Sequence, residues 1–140
     1  MEKNDFKEII KLFKKNIKII EKRLEIQSGN LSSKKNTINN FKEPINLNKN
    51  EEQTKKIEKI INDINDSIKK NTQYSQKLNN IKNEFDLLYK TNLTDENIDA
   101  KIKRINDDIL YLTEKLKIET NKNSKRSTEI QKLFEDIIKI

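Results

Sequence analysis

The chain of 140 residues contains no cysteine, no histidine and no tryptophan, and only one glycine and one proline. Without cysteine there is neither a disulfide framework nor a thiolate metal site, a composition compatible with the cytosol. Without histidine as well, the commonest general base, the strongest nucleophile and the usual zinc ligands are all missing. A single glycine cannot build a loop that cradles phosphate, and the carboxylates and lysines are spread along helix faces, where solvated surface is their ordinary role. No enzyme is expected, and no catalytic residue, cofactor or metal site. One glycine and one proline also leave almost no turn chemistry for hairpins or sandwiches. Long apolar runs are missing too: nothing approaches the roughly eighteen residues that a bilayer span requires, and the charged start Met1-Glu2-Lys3-Asn4-Asp5 leads into no signal-type apolar core.

Of what is present, 32% is hydrophobic and 38% charged, too little apolar material for a thick globular core. Lys, Asn and Ile together make up half the chain, and Ile, the only abundant strand former, sits at helical spacing. Asparagine at this abundance weakens helices slightly without marking a prion-like segment. The expected fold is all-α: an elongated coiled coil of two or three long helices with no sheet.

The clearest pattern is a heptad seam. Apolar residues recur at steps of four and three at Ile98, Ile102, Ile105, Ile109, Leu112 and Leu116, then, after a polar gap at Glu119, Asn123 and Arg126, at Ile130, Leu133, Ile137 and Ile140. A period of 3.5 keeps one stripe toward a partner helix, which argues for a coiled coil. The first segment carries two interleaved rows, Phe6, Phe13, Ile20, Gln27, Lys34, Phe41 and Ile10, Ile17, Leu24, Leu31, Ile38, Ile45. A third stretch shows Ile57, Ile61, Ile64 and Ile68, and after Asn71 the seam resumes one step early at Tyr74, Leu78, Ile81, Phe85 and Leu88, the slip called a stammer. The side chains expected to meet partner helices are Phe13, Ile17, Ile20, Leu24, Leu31, Ile38, Tyr74, Leu78, Ile81, Phe85, Leu88, Ile98, Ile102, Ile105, Ile109, Leu112 and Leu116. Asn71, Asn123 and Gln27 are candidates for fixing register, a role that chance placement of so common a residue also explains.

Boundaries follow from the weak points. An N-terminal amphipathic helix is expected within residues 1–42, with a bend or frayed half at Gln27-Ser28-Gly29-Asn30, where helix propensity drops. Pro44 disfavours helical geometry at Glu43, which places a linker at 43–52. Residues 53–140 form the coiled-coil region, with a candidate break at 91–94, where Thr94 is the expected cap of a new helix carrying Asp95 and Glu96 in its first turn. A turn there makes an antiparallel pair; no turn makes a single rod.

The net charge of +7 is mostly N-terminal: residues 1–50 hold twelve Lys or Arg against six acids. Lys7, Lys11, Lys14, Lys18 and Lys22 line the face opposite the Phe6 to Leu24 seam, suited to anionic lipid or an acidic partner, or simply to water. Nucleic acid is not an expected partner, because arginine occurs only at Arg23, Arg104 and Arg126 and the aromatics fall on seam positions.

Gln27, Leu31, Ile38 and Phe41-Lys42-Glu43, followed by Tyr74, Lys77-Leu78, Asn80-Ile81, Glu84 and Leu88, resemble the pallidin family over about residues 10–105. These are small coiled-coil subunits of the complex that builds lysosome-related organelles. The stretch between the two blocks is longer here than in the family, and the basic run after the second is reduced to Lys101, Lys103 and Arg104. The resemblance implies a non-enzymatic, cytoplasmic subunit of a hetero-oligomeric helical complex, peripheral on endosomal membranes, active in vesicle trafficking and in contact with SNARE helices. Leu93-Thr94-Asp95-Glu96, leading into Ile102, Ile105 and Glu114-Lys115-Leu116, is similar instead to the coiled coil of meiotic homologous-pairing proteins, a family that begins with a winged helix for which residues 1–50 offer no strand pair. Prefoldin-type subunits need a β-hairpin between helices, and no segment alternates in that way.

Overall fold

A computed structural model of the chain describes residues 1–47, 51–91 and 94–138. The protein is all-α, with three long helices: α1 (Lys3–Leu47), α2 (Glu51–Tyr89) and α3 (Ile98–Ile138). Among the described residues there is no strand, and no helix is long and apolar enough to cross a membrane.

The chain divides into two compact units. The first comprises Met1–Glu25 and Thr72–Lys117, the second Ile26–Asn71 and Ile118–Ile140. In the first, Phe13, Ile17, Ile20 and Leu24 of α1 share a buried core with Leu78, Ile81 and Leu88 of α2 and with Ile105, Ile109, Leu112 and Leu116 of α3. Each such side chain withdrawn from water contributes about 1.5–3 kcal/mol, and their number, not their individual strength, holds the helices. Lys77 pairs with Asp108 at 3.5 Å and Glu84 with Arg104 at 4.0 Å, so partners on α3 fall as α2 rises: the two are antiparallel. Lys82 of α2 reaches Glu21 of α1 at 2.9 Å. Such exposed pairs contribute about 0–1 kcal/mol and report alignment more than they create it.

The second unit buries Leu31, Ile38, Ile57, Ile60, Ile64, Ile130 and Leu133. Here the Lys34 ammonium donates to the Asn123 carbonyl at 2.7 Å, and the rings of Phe41 and Phe134 lie 5.7 Å apart, so α1 and α3 run parallel. Within each unit α2 is antiparallel to α3, and the turn between Tyr89 and Ile98 decides the question the sequence left open.

Three local expectations are corrected. The helix α1 continues past Pro44 to Leu47, and α2 begins at Glu51, so only residues 48–50 of the expected 43–52 linker lie outside the described residues. Proline's own φ near −65° is helical; what it removes is one hydrogen bond, a local cost that need not end a helix. Nor does α1 break at Gly29: a Cβ there would meet nothing within 4 Å, and burial of Gln27 and Leu31 on either side carries the helix through.

The stammer is absent. On α2 the buried row is Gln53, Ile57, Ile60, Ile64, Ser67, Asn71, Tyr74, Leu78 and Ile81, then half-buried Phe85 and buried Leu88, an unbroken alternation of four and three. Ile61 and Ile68 are only half-buried, so choosing the apolar neighbour at each step placed the seam one residue off. Just ahead of α3 the Asp95 Oδ1 accepts the Asn97 N–H at 2.8 Å and its Oδ2 the Lys101 ammonium at 2.9 Å.

Ile60→Ala is expected to cost about 2–4 kcal/mol in urea denaturation and Ile61→Ala less than about 1.5 kcal/mol; equal costs would restore the slipped register. The Asn97 N–H, and then the Lys101 ammonium, hold the Asp95 carboxyl below its ordinary value. A carboxylate with a depressed folded pKa contributes stability that is complete above its unfolded value, about pH 4, and that is lost as pH falls through the folded value. Thermal melts of wild type and Asp95→Asn, which keeps an accepting oxygen but no charge, should differ at neutral pH and converge in acid. A gap independent of pH would remove the charge from the account.

Candidate functional site

The polar residues that interrupt the seams come together in the second unit. Gln27 and Ser28 of α1, Ser67, Lys70 and Asn71 of α2, and Glu119, Lys122, Asn123 and Arg126 of α3 form one polar layer, with Lys34 of α1 donating into it. Gln27, Ser67, Asn71, Glu119, Asn123 and Arg126 are buried because the heptad spacing of their own helices puts them on the inward side, while Ser28, Lys70 and Lys122 reach them from the rim. The sequence therefore specifies their burial through the register even though their chemistry opposes it.

Arg126, 6% exposed, donates to Asn123 Oδ1 at 2.6 Å, to Ser67 Oγ at 2.9 Å and to the Asp63 carbonyl at 3.4 Å. Three acceptors on two helices fix its guanidinium and with it the level at which α2 meets α3. Asn71 donates to Ser28 Oγ, tying α2 to α1. Burial, and then the nearby Arg126 charge, push the Lys34 ammonium below its ordinary pKa.

Glu119 is 1% exposed, with Lys122 at 3.6 Å and Lys70 at 3.9 Å from its Oε1. Lys122, first as hydrogen-bond partner and then as a like charge, lowers the pKa of Lys70, while Glu119 and Asp66 pull it the other way. Gln27 Nε2, Asn71 Oδ1 and Glu119 Oε2 are buried without a hydrogen-bond partner. A layer with orphaned atoms costs stability, since each unsatisfied buried group forfeits about 1–3 kcal/mol of hydration. What such a layer does well is exclude alternative alignments, because any shift strands Arg126 or Glu119 in an apolar layer.

Beside the layer lies an open cleft of about 280 Å³ between α2 and α3, where Lys70, Lys122 and Lys125 face Asp63, Asp66 and Glu129. The charges alternate and largely neutralise one another. No group of His, Cys, Asp and Glu able to hold a metal ion occurs among the described residues.

The seam residues named from the sequence lie inside the chain's own units. Phe13, Ile17, Ile20, Leu24, Tyr74, Leu78, Ile81, Leu88, Ile98, Ile105, Ile109, Leu112 and Leu116 are buried in the first, with Phe85 and Ile102 half-buried against them, and Leu31 and Ile38 are buried in the second. The lysines Lys7, Lys11, Lys14, Lys18 and Lys22 are exposed, Lys11 standing 3.8 Å from Glu8. Sequence reasoning singled out Gln27, Asn71 and Asn123 but missed Ser67 and Lys34 as their companions. The available signal was the run of polar seam positions on α3, which demands polar residues at the same level of the other helices.

Lys70 and Lys122 are solvated enough to lose Glu119 without being stranded, at 45% side-chain exposure each. Glu119→Leu is expected to raise stability by about 1–3 kcal/mol in denaturant melts, with Leu in the seam's own register. A loss of stability would mean that the carboxylate's partners outweigh its burial. In comparison with known proteins, no family model, no curated sequence and no solved structure matches the chain.

Proposed function

We propose that the protein is a non-enzymatic helical interaction subunit, in its specific form a pallidin-like member of a hetero-oligomeric complex serving endosomal sorting and vesicle trafficking. The observation that supports this reading is the unbroken heptad register of all three helices together with a polar layer that selects alignment, both devices of helix-to-helix recognition. Because the seams are occupied by the chain's own helices, partner helices are met on outward faces. In the first unit the largest exposed apolar side chains there are Tyr89 (68%) and Leu87 (66%) on α2 and Leu110 (55%) on α3. Surrounding Lys and Glu then set partner choice and encounter rate more than affinity.

Affinity purification of the tagged chain from its own cells, with mass spectrometry of the stoichiometric peak, is expected to yield other small coiled-coil proteins and endosomal factors. Replacing Leu87 and Tyr89 with Ser should remove them while changing the melt by less than about 0.5 kcal/mol per site. A recombinase or chromatin partner would move the reading to the meiotic proteins, and a chain that elutes alone would overturn the subunit reading.

A further inference from the structure

The outward side of α1 in the first unit carries two rows that its seam does not explain. Helical geometry, about 100° per residue, places Lys7, Lys11, Lys14, Lys18, Lys22 and Lys15 in a band away from the buried Phe13, Ile17, Ile20 and Leu24. Along the edge of that band run Leu12, 52% exposed, and Ile19, 38% exposed, one heptad apart. Four acids share this side: Asp5 stands one heptad before Leu12 on the apolar row, Glu8 lies 3.8 Å from Lys11, Glu25 is at the end of the band, and Glu21 is engaged by Lys82 of α2 at 2.9 Å, against six lysines.

We propose that this face docks the protein on an anionic lipid surface, with Leu12 and Ile19 entering the headgroup region and the lysines contacting lipid phosphates. The seam itself is committed to the bundle, so docking uses a second amphipathic face and leaves the fold intact. Several features favour lipid over an acidic protein. The face belongs to a single helix, and its two apolar side chains are about 10 Å apart at 1.5 Å per residue, too separated to form the contiguous packed centre of a protein interface. Lipid headgroups close around separate side chains, which a folded protein surface does not. All six cations named are lysines, flexible point charges with apolar stems that reach sideways to phosphates, rather than arginines suited to bidentate pairing. A surface lysine near an anionic membrane adds to binding in proportion to the lipid charge, and salt weakens it.

The test is co-sedimentation of the full chain with large vesicles, either of phosphatidylcholine alone or with one part in four phosphatidylserine. Binding is expected only to the anionic vesicles, and to fall on the order of tenfold when salt is raised from low to several times physiological strength. The triple variant Lys7→Glu, Lys11→Glu, Lys18→Glu should abolish it. The double variant Leu12→Ser, Ile19→Ser should weaken it about tenfold with the circular dichroism melt unchanged. Equal binding to both vesicle types, no binding to either, or full binding by the lysine variant would overturn the proposal. If polyglutamate displaces the vesicles and the Leu12, Ile19 variant binds as wild type, the face belongs to an acidic protein instead.

Discussion

Three long helices share a core only if each returns a side chain to the same side every 3.5 residues, and the rest of this structure depends on that constraint. An undistorted helix drifts around its axis relative to such a repeat, so keeping the stripe inward requires the helices to wind slightly about one another. The repeat then dictates what is buried without regard to chemistry. Ile64, Ile81 and Leu112 satisfy it with apolar groups, and Ser67, Glu119 and Arg126 satisfy it with polar ones. The same rule that assembles the apolar core delivers a buried carboxylate and a buried guanidinium to the second unit.

The two kinds of layer serve opposite ends. Apolar layers supply the free energy but are nearly indifferent to a shift of one heptad, since Ile or Leu meets Ile or Leu again. The polar layer is poor in free energy, with Gln27, Asn71 and Glu119 each leaving an atom unpaired, yet Arg126, held by Asn123 of its own helix, meets Ser67 and the Asp63 carbonyl of α2 at one alignment alone. A chain with so few turn residues and so repetitive a core needs such a mark, because little else in it distinguishes one register from the next. The side chains the repeat does not use, such as Leu87, Tyr89 and the lysines of α1, are left exposed.

The rows of α1 and α3 were legible residue by residue, because their seam positions are Ile, Leu and Phe over many turns before a polar one intervenes. On α2 the reading slipped where Ile60-Ile61 and Ser67-Ile68 stand side by side. Hydropathy prefers Ile68 to Ser67, but the packing takes Ser67 since its hydroxyl receives Arg126 from α3, fifty-nine residues away in the chain. Ahead of α3, the pairing of Asp95 with the Asn97 N–H and the Lys101 ammonium was equally outside what hydropathy can rank. The polar layer was half legible, as a list of polar seam positions without their pairings.

Composition and periodicity alone therefore determined the all-helical class and which stripe of α1 and α3 turns inward, because both follow from spacing along one chain. They also carried the absence of cysteine and histidine and the N-terminal excess of lysine. Tertiary structure decided the rest: that the chain turns between α2 and α3, that the seams close on one another within the chain, and which polar residues pair across helices. These depend on contacts between residues far apart in sequence. A heptad pattern states that a stripe must be covered, but it is equally satisfied by any helix of the right register, its own neighbour or another molecule's.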